Sequence, residues 1–265
     1  NTDYYWEKGT ADIKAEIGKP IDAVFCGTDY LGTGRFESLY CPESEVIYFD
    51  RSEVPVSSTS LRFDVYANWQ YIPPICRPYY VKRVLIAGGE STGKSTLVQN
   101  LSIAYNTNFV REIGRDTCDI AGGEDFMNMD DLCENFLKQK TEEIEAAYSS
   151  NRILFIDTDA VTTKFYSHFL LKKKEEIQKC DALADAVSGI NRFDLVLFLE
   201  PTVSFVQDGT RNEKIAQDRE KYSREIKMLF DEAGMEYCCL GGDYLDRFNQ
   251  AKKLIEEKFH IKTIW

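Results

Sequence analysis

The sequence predicts an α/β fold, a parallel sheet with helices on both faces, and three observations predict it. Short apolar runs rich in branched residues recur along the chain, amphipathic segments of helical length lie between them, and a glycine-rich turn directly follows one such run at Gly88. Strands separated by helices of that length need crossover connections, so they run parallel and are covered on both sides.

The first part of the chain is mixed α/β: 21–25 and 45–49 read as two strands of a parallel sheet, with a helix near 28–37. That is too little chain for a full doubly wound domain, and it reads as the back half of one. The stretch 72–78 then holds three of the seven prolines, which fix φ and remove donors, so it reads as a linker. The expected division is therefore 1–78 and 79–265. Beyond it come a buried strand over 81–87, a helix over 94–105, a short strand at 109–110 and a helix over 130–148. A strand at 152–156, helical material over 159–189 and a strand at 194–199 follow. A charge-rich helix over 213–233, a strand over 235–240 and a closing helix over 245–259 complete the series.

Composition narrows the partners. With 44 acidic against 32 basic residues the formal charge is -12, which opposes nucleic-acid and anionic-membrane surfaces. No run approaches the roughly 18 apolar residues of a membrane span, and the start of the chain has neither a basic nor an apolar segment. A cytoplasmic protein is expected. Eight scattered cysteines without a C-x-x-C pair, beside only two histidines, argue for reduced thiols rather than zinc or a disulfide framework.

The sharpest signal is Gly88-Gly89-Glu90-Ser91-Thr92-Gly93-Lys94-Ser95, an unbroken G-x-x-x-x-G-K-[ST] between a strand and a helix. Gly88 and Gly93 permit the backbone turns that aim N–H groups at phosphate oxygens, and the helix start adds its positive dipole end. This predicts a P-loop kinase domain for ATP and Mg2+, with 88–95 and the following Thr96 on the nucleotide, Lys94 on the β- and γ-phosphates and Ser95 on the metal. Asp157 closes the strand 152–156 where a P-loop site needs a carboxylate for the metal. Asp159 is placed either for an acceptor contact or as an N-cap of the next helix.

After the strand at 109–110 stand Arg111, Glu112, Arg115 and Asp116, at the sheet end where ligands bind. Glu112 is the candidate base or hydroxyl-positioning group, and the others are candidate acceptor contacts or surface ion pairs. Arg211 and Arg219, eight residues apart, would share one face of a helix that closes over the transferring phosphoryl group, unless that helix is simply solvated. The loop 241–244 is a topological candidate for covering adenine; Phe136, Phe165 and Tyr166 are equally candidates for core or for base stacking.

These segments, together with Phe155-Ile-Asp-Thr-Asp-Ala-Val-Thr-Thr163 and Tyr244-Leu-Asp-Arg-Phe-Asn-Gln250, resemble in order and spacing the NadR-type bifunctional nicotinamide-nucleotide adenylyltransferase/ribosylnicotinamide kinases. Val56-Ser-Ser-Thr-Ser-Leu-Arg62 is similar to the phosphate-binding I-S-x-T-x-x-R element of nucleotidyltransferases. The resemblance implies a Rossmann-like half domain followed by a kinase that phosphorylates nicotinamide riboside with ATP. The H-x-G-H element of the adenylyltransferase is not found, since His168 and His260 lie elsewhere, so adenylyl transfer is expected to be lost through N-terminal truncation. Rival readings are a kinase for another nucleoside and an ATP-sensing regulator, which would bind nucleotide without acceptor-dependent turnover.

Overall fold

The computed structural model describes residues 2–50, 52–53, 55–206 and 212–264. The chain forms two compact units, 1–68 and 69–265. Their division lies ahead of the proline-rich stretch because that stretch is no linker. Pro74–Tyr79 winds into a 3-10 helix packed on a long helix of the second unit, and Arg77 lies 5.8 Å over the ring of buried Trp69.

In the smaller unit, helix α1 (Thr2–Ile17) precedes strand β1 (Ala23–Gly27), helix α2 (Arg35–Tyr40), strand β2 (Glu45–Phe49) and helix α3 (Ser58–Phe63). β1 and β2 pair in parallel from Ala23 opposite Glu45 to Gly27 opposite Phe49, as the apolar runs anticipate. α1 was not anticipated. It is weakly amphipathic, and its anchor is aromatic: Trp6 meets Tyr30 and Phe36 edge-on at 5.9 and 5.7 Å. Ser57, in the resemblance to a phosphate-binding element, instead forms a reciprocal capping box with Ser60 at the start of the six-residue α3.

The larger unit contains strand β3 (Lys82–Gly88), helix α4 (Lys94–Ala104), strand β4 (Phe109–Val110), helices α5 (Ile113–Ala121) and α6 (Met129–Ser149), and strand β5 (Ile153–Asp157). Helices α7 (Ala160–Leu170) and α8 (Lys174–Gly189), strand β6 (Leu195–Leu199), helices α9 (Glu213–Gln217) and α10 (Arg219–Glu232), strand β7 (Cys238–Leu240) and helix α11 (Tyr244–Phe259) follow. The five strands are parallel in the order β4-β5-β3-β6-β7. Every residue of β5 and β6 is buried, as unbroken apolar runs must be in strands covered on both faces. α4 and α11 pack on each other and on the sheet, while α6, α7 and α8 pack together around Phe136, Leu132, Ala184 and Cys180.

The expected helix over 213–233 is two helices. Asp218 takes an extended φ of -143° and its carboxylate accepts from Lys221 N at 3.2 Å, so it caps a new helix instead of continuing the old one. The expected strand over 235–240 shortens to its last three residues at the sheet edge.

Candidate active site

At the carboxyl end of β3 the chain turns sharply, and glycine is required at two points. Gly88 has φ +140°, and a Cβ there would stand 2.8 Å from Leu199 O; Gly93 has φ +86°, and a Cβ would stand 2.8 Å from Tyr244 Cε1. Neither contact can relax cheaply, because one is to backbone and the other to a ring packed over the loop. Inside the turn Thr92 Oγ1 and Lys94 Nζ both donate to Gly89 O, at 2.8 and 3.0 Å. Lys94 is thus buried with its ammonium folded back onto the loop. Residues 91–96 with Glu112 and Arg115 line a cavity of about 150 Å³ at the start of α4.

The parallel register sets Asp157, the last residue of β5, beside Ile86 two residues before the turn. Asp157 is 1 % exposed. Burial and the Glu112 carboxylate push its carboxyl up to about 6, against the opposing pull of Lys94 and a hydrogen bond from Ser95. The next residue, Thr158, has φ +71°, a costly conformation for a β-branched side chain. It is held there by its own N–H on Ile86 O at 3.1 Å and by Gln139, which donates to the carbonyls of Asp157 and Thr158 at 3.1 and 3.3 Å. Gln139 also accepts from Ile113 N at 3.1 Å. One side chain on α6 therefore fixes the residues after both Asp157 and Glu112.

A second cavity, of about 90 Å³, shares Ser91, Lys94, Glu112 and Arg115 with the first and extends between α5, α6 and α7. Its far walls include Cys118, Met127, Leu132, Tyr166 and Leu170. Of the aromatic candidates, only Tyr166 lines it; Phe136 and Phe165 are buried in the helical core. Glu90 contributes its side chain to this second cavity and not to the first, although its backbone belongs to the glycine-rich turn. Glu124 stands beside it. Asn212 joins the pair, its N–H donating to Glu90 Oε2 at 3.0 Å and its Nδ2 to Glu124 Oε2 at 2.8 Å. Burial and the neighbouring Glu124 push the Glu90 carboxyl up to about 8.

Other anticipated residues are placed differently. Arg111 and Asp116 pair with each other at 2.7 Å on an exposed face and line neither cavity. Asp159 is the N-cap of α7, accepting from Thr162 N at 3.1 Å and Thr162 Oγ1 at 3.0 Å, and burial raises its carboxyl to about 6. It lies outside both cavities. Arg219, at the first turn of α10, donates to Val203 O at 2.6 Å and Ser91 O at 3.1 Å, bracing the glycine-rich turn from outside. Arg211, expected on the same helix face, lies outside the described residues. Arg247, within the segment 244–250, is 1 % exposed and donates to Thr92 O, and at 2.7 Å to both Glu200 O and Thr202 Oγ1. Its only sequence signal was an arginine on the apolar face of a helix. The segment 241–244 abuts the turn, with Thr202 Oγ1 donating to Gly242 O at 2.7 Å.

A five-stranded parallel sheet, a glycine-rich turn opening α4, and a carboxylate at the end of the adjacent strand define a P-loop kinase fold. Residues 83–247 match the AAA domain family, and the chain belongs to it. Within that class it is homologous to the trifunctional NAD biosynthesis/regulator protein NadR of Escherichia coli (strain K12), 31% identical over 257 residues, which is 95% of this chain and 60% of that protein. The Salmonella typhimurium NadR is 30% identical over the same shares. The chain thus spans 60% of the length of these curated relatives. A crystal structure of NadR protein in complex with NR superposes with a TM-score of 0.76 at 24% identity, covering 98% of this chain and 76% of that one. Another, of NadR protein in complex with NAD and AMP-PNP, superposes with a TM-score of 0.73 at 23% identity, covering 97% and 74%. A deoxyadenosine kinase from M. mycoides shares the fold at a TM-score of 0.51 and 12% identity, covering 67% of this chain and 98% of that one. Among the described residues no helix is long and apolar enough to cross a membrane.

Proposed function

We propose that this chain is a ribosylnicotinamide kinase, transferring the γ-phosphoryl group of ATP to the 5'-hydroxyl of nicotinamide riboside. The observation that carries the reading is the sharing of Ser91, Lys94, Glu112 and Arg115 by two adjoining cavities, one on the glycine-rich turn and one with apolar walls. Phosphoryl transfer needs a donor phosphate and an acceptor hydroxyl in line with little covalent help, so a common wall bearing a cation and a carboxylate suits it. The homology to NadR proteins, one of them solved in complex with NR, supports nicotinamide riboside as the acceptor.

The roles follow from the atoms. The amides of 88–95 and Lys94 bind phosphate oxygens, Lys94 first leaving Gly89 O. Glu112 orients the acceptor hydroxyl or accepts its proton, and Arg115 offsets charge on the shared wall. Arg219 serves as a positioning residue through Ser91 O, and the clamp on the transferring group expected of Arg211 is kept as part of the same proposal. Arg111, Asp116 and Asp159 support the acceptor side through α5 and α7 rather than by contact. For magnesium the residues fit: a Ser95 hydroxyl beside a buried strand-end carboxylate, Asp157, is a sparse oxygen set that leaves room for phosphates and water. Bound magnesium would supply positive charge against the transferring phosphoryl group.

We assign the unit 1–68 to a partial nucleotidyltransferase domain and 69–265 to the kinase, moving the expected boundary at 78/79 to the compact division at 68/69. The sequence 1–78 contains no histidine, so this polypeptide is expected to form no dinucleotide from nicotinamide mononucleotide and ATP.

The test is a phosphotransfer assay with nicotinamide riboside, adenosine, cytidine and thymidine as acceptors. Turnover confined to nicotinamide riboside supports the reading. Faster turnover of another nucleoside, or nucleotide binding without acceptor-dependent turnover, would replace it with a different kinase or with a sensor.

A further inference from the structure

The acceptor cavity has an unusual inner end. Its walls are largely apolar, from Cys118, Met127, Leu132 and Leu170, yet Glu90 and Glu124 meet there side by side. Both line this cavity and neither lines the phosphate cavity, whereas Lys94 and Arg115, the cationic residues lining the acceptor cavity among the described residues, are shared with the phosphate side. Among the described residues, the shared wall therefore sets two cations against one carboxylate, Glu112, while the part of the pocket outside it carries the two carboxylates Glu90 and Glu124.

The Glu90 carboxylate is only partly satisfied by the described residues. Asn212 supplies one hydrogen bond to Oε2 of each of Glu90 and Glu124, and the buried Glu90 Oε1 has no hydrogen-bond partner among the described residues. Two adjoining carboxylates withdrawn from water cannot both ionise without a counter-charge, and a proton shared between them is one remedy. A cation delivered by the ligand is another.

Resting on the kinase reading of the same cavity, we propose that Glu90 and Glu124 are specificity residues that select an acceptor with a fixed positive charge on its base, a pyridinium nucleoside, over neutral nucleosides. A delocalised ring cation is weakly hydrated, so it loses little on entering apolar walls and gains the field of the pair. Tyr166, lining the same end, offers a ring face or edge to the base. A neutral ring of equal shape would fill the same space but leave the carboxylate pair uncompensated. Asn212 is then the positioning residue that holds both carboxylates on one side of the ring.

The experiment compares nicotinamide riboside with benzamide riboside, its neutral isostere, by calorimetric binding to the whole chain in the presence of a non-hydrolysable ATP analogue and magnesium. The wild type should prefer the cation by about tenfold or more. In Glu90→Gln and Glu124→Gln, which keep side-chain size, that ratio should fall towards one through weaker binding of the cation. Undiminished binding of benzamide riboside in those variants shows that the pocket is intact. Equal affinities in the wild type, or a ratio unchanged in both variants, would overturn the proposal. Failure of the kinase reading is separately visible: it is the absence of phosphoryl transfer to nicotinamide riboside, whatever the binding ratio.

Discussion

The two cavities that meet at Lys94 are built on opposite plans. The phosphate cavity is made of backbone, with glycines that nothing else can replace at 88 and 93 and with Thr92, Arg219 and Arg247 all spent on loop carbonyls. The acceptor cavity is made of residues from α5, α6, α7 and the turn after α5, and one of its polar atoms, Glu90 Oε1, is buried with no hydrogen-bond partner among the described residues. The difference teaches where each function sits. A site for a common phosphate can be rigid and general, whereas a site for one acceptor is written in side chains that can be exchanged without touching the frame.

The largest test of that contrast is Lys94→Ala. Removing the ammonium should lower turnover by about 10²–10³-fold or more while the thermal transition stays near that of the wild type, since the frame is backbone. A retained rate would mean that the phosphate cavity has been misplaced. Next is Arg247→Ala, which strips partners from Thr92 O, Glu200 O and Thr202 Oγ1. It should cost about 2–4 kcal/mol in denaturant unfolding and weaken nucleotide binding, because buried acceptors are left bare. A neutral outcome would show that the turn stands without its brace.

A smaller effect should appear in pH dependence. Glu90, facing Glu124, Tyr166 and Lys94, has its folded-state carboxyl raised from 4.5 to about 8. Between those values the folded chain binds more protons than the unfolded one, so stability falls as pH rises through that window. Glu90→Gln should flatten the part of the melting-temperature profile that declines from about pH 5 to pH 8. A slope that survives would assign the proton elsewhere. The smallest effect is expected for Arg111→Ala: its pair with Asp116 is exposed, so stability should move by less than about 1 kcal/mol, with turnover unchanged. A large loss of rate would return Arg111 to the acceptor side.

The same contrast explains what was legible in advance. Gly88, Gly93 and Lys94 follow from local spacing, because the turn they form is a property of consecutive residues. Asp157 follows from a strand that ends on a carboxylate, and the continuous apolar runs of β5 and β6 announce their burial on both faces. Glu124, Asn212 and Gln139 were out of reach. They come from three separate elements, and each looks like an ordinary surface residue until the helices pack. The sequence leaves Asp159 two uses, acceptor contact or N-cap, and in the fold its carboxylate, buried beside Thr162, caps α7. The long helix was lost at Asp218 for a local reason, a side chain that competes with its own backbone.

Arg247 reaches back 155 positions to the carbonyl of Thr92. During synthesis from the N-terminus, the glycine-rich turn therefore leaves the ribosome long before the arginine that braces it. A chain halted before α11 lacks that donor to Thr92 O, so it should fold its glycine-rich turn less firmly and hold nucleotide more weakly than a chain that includes α11.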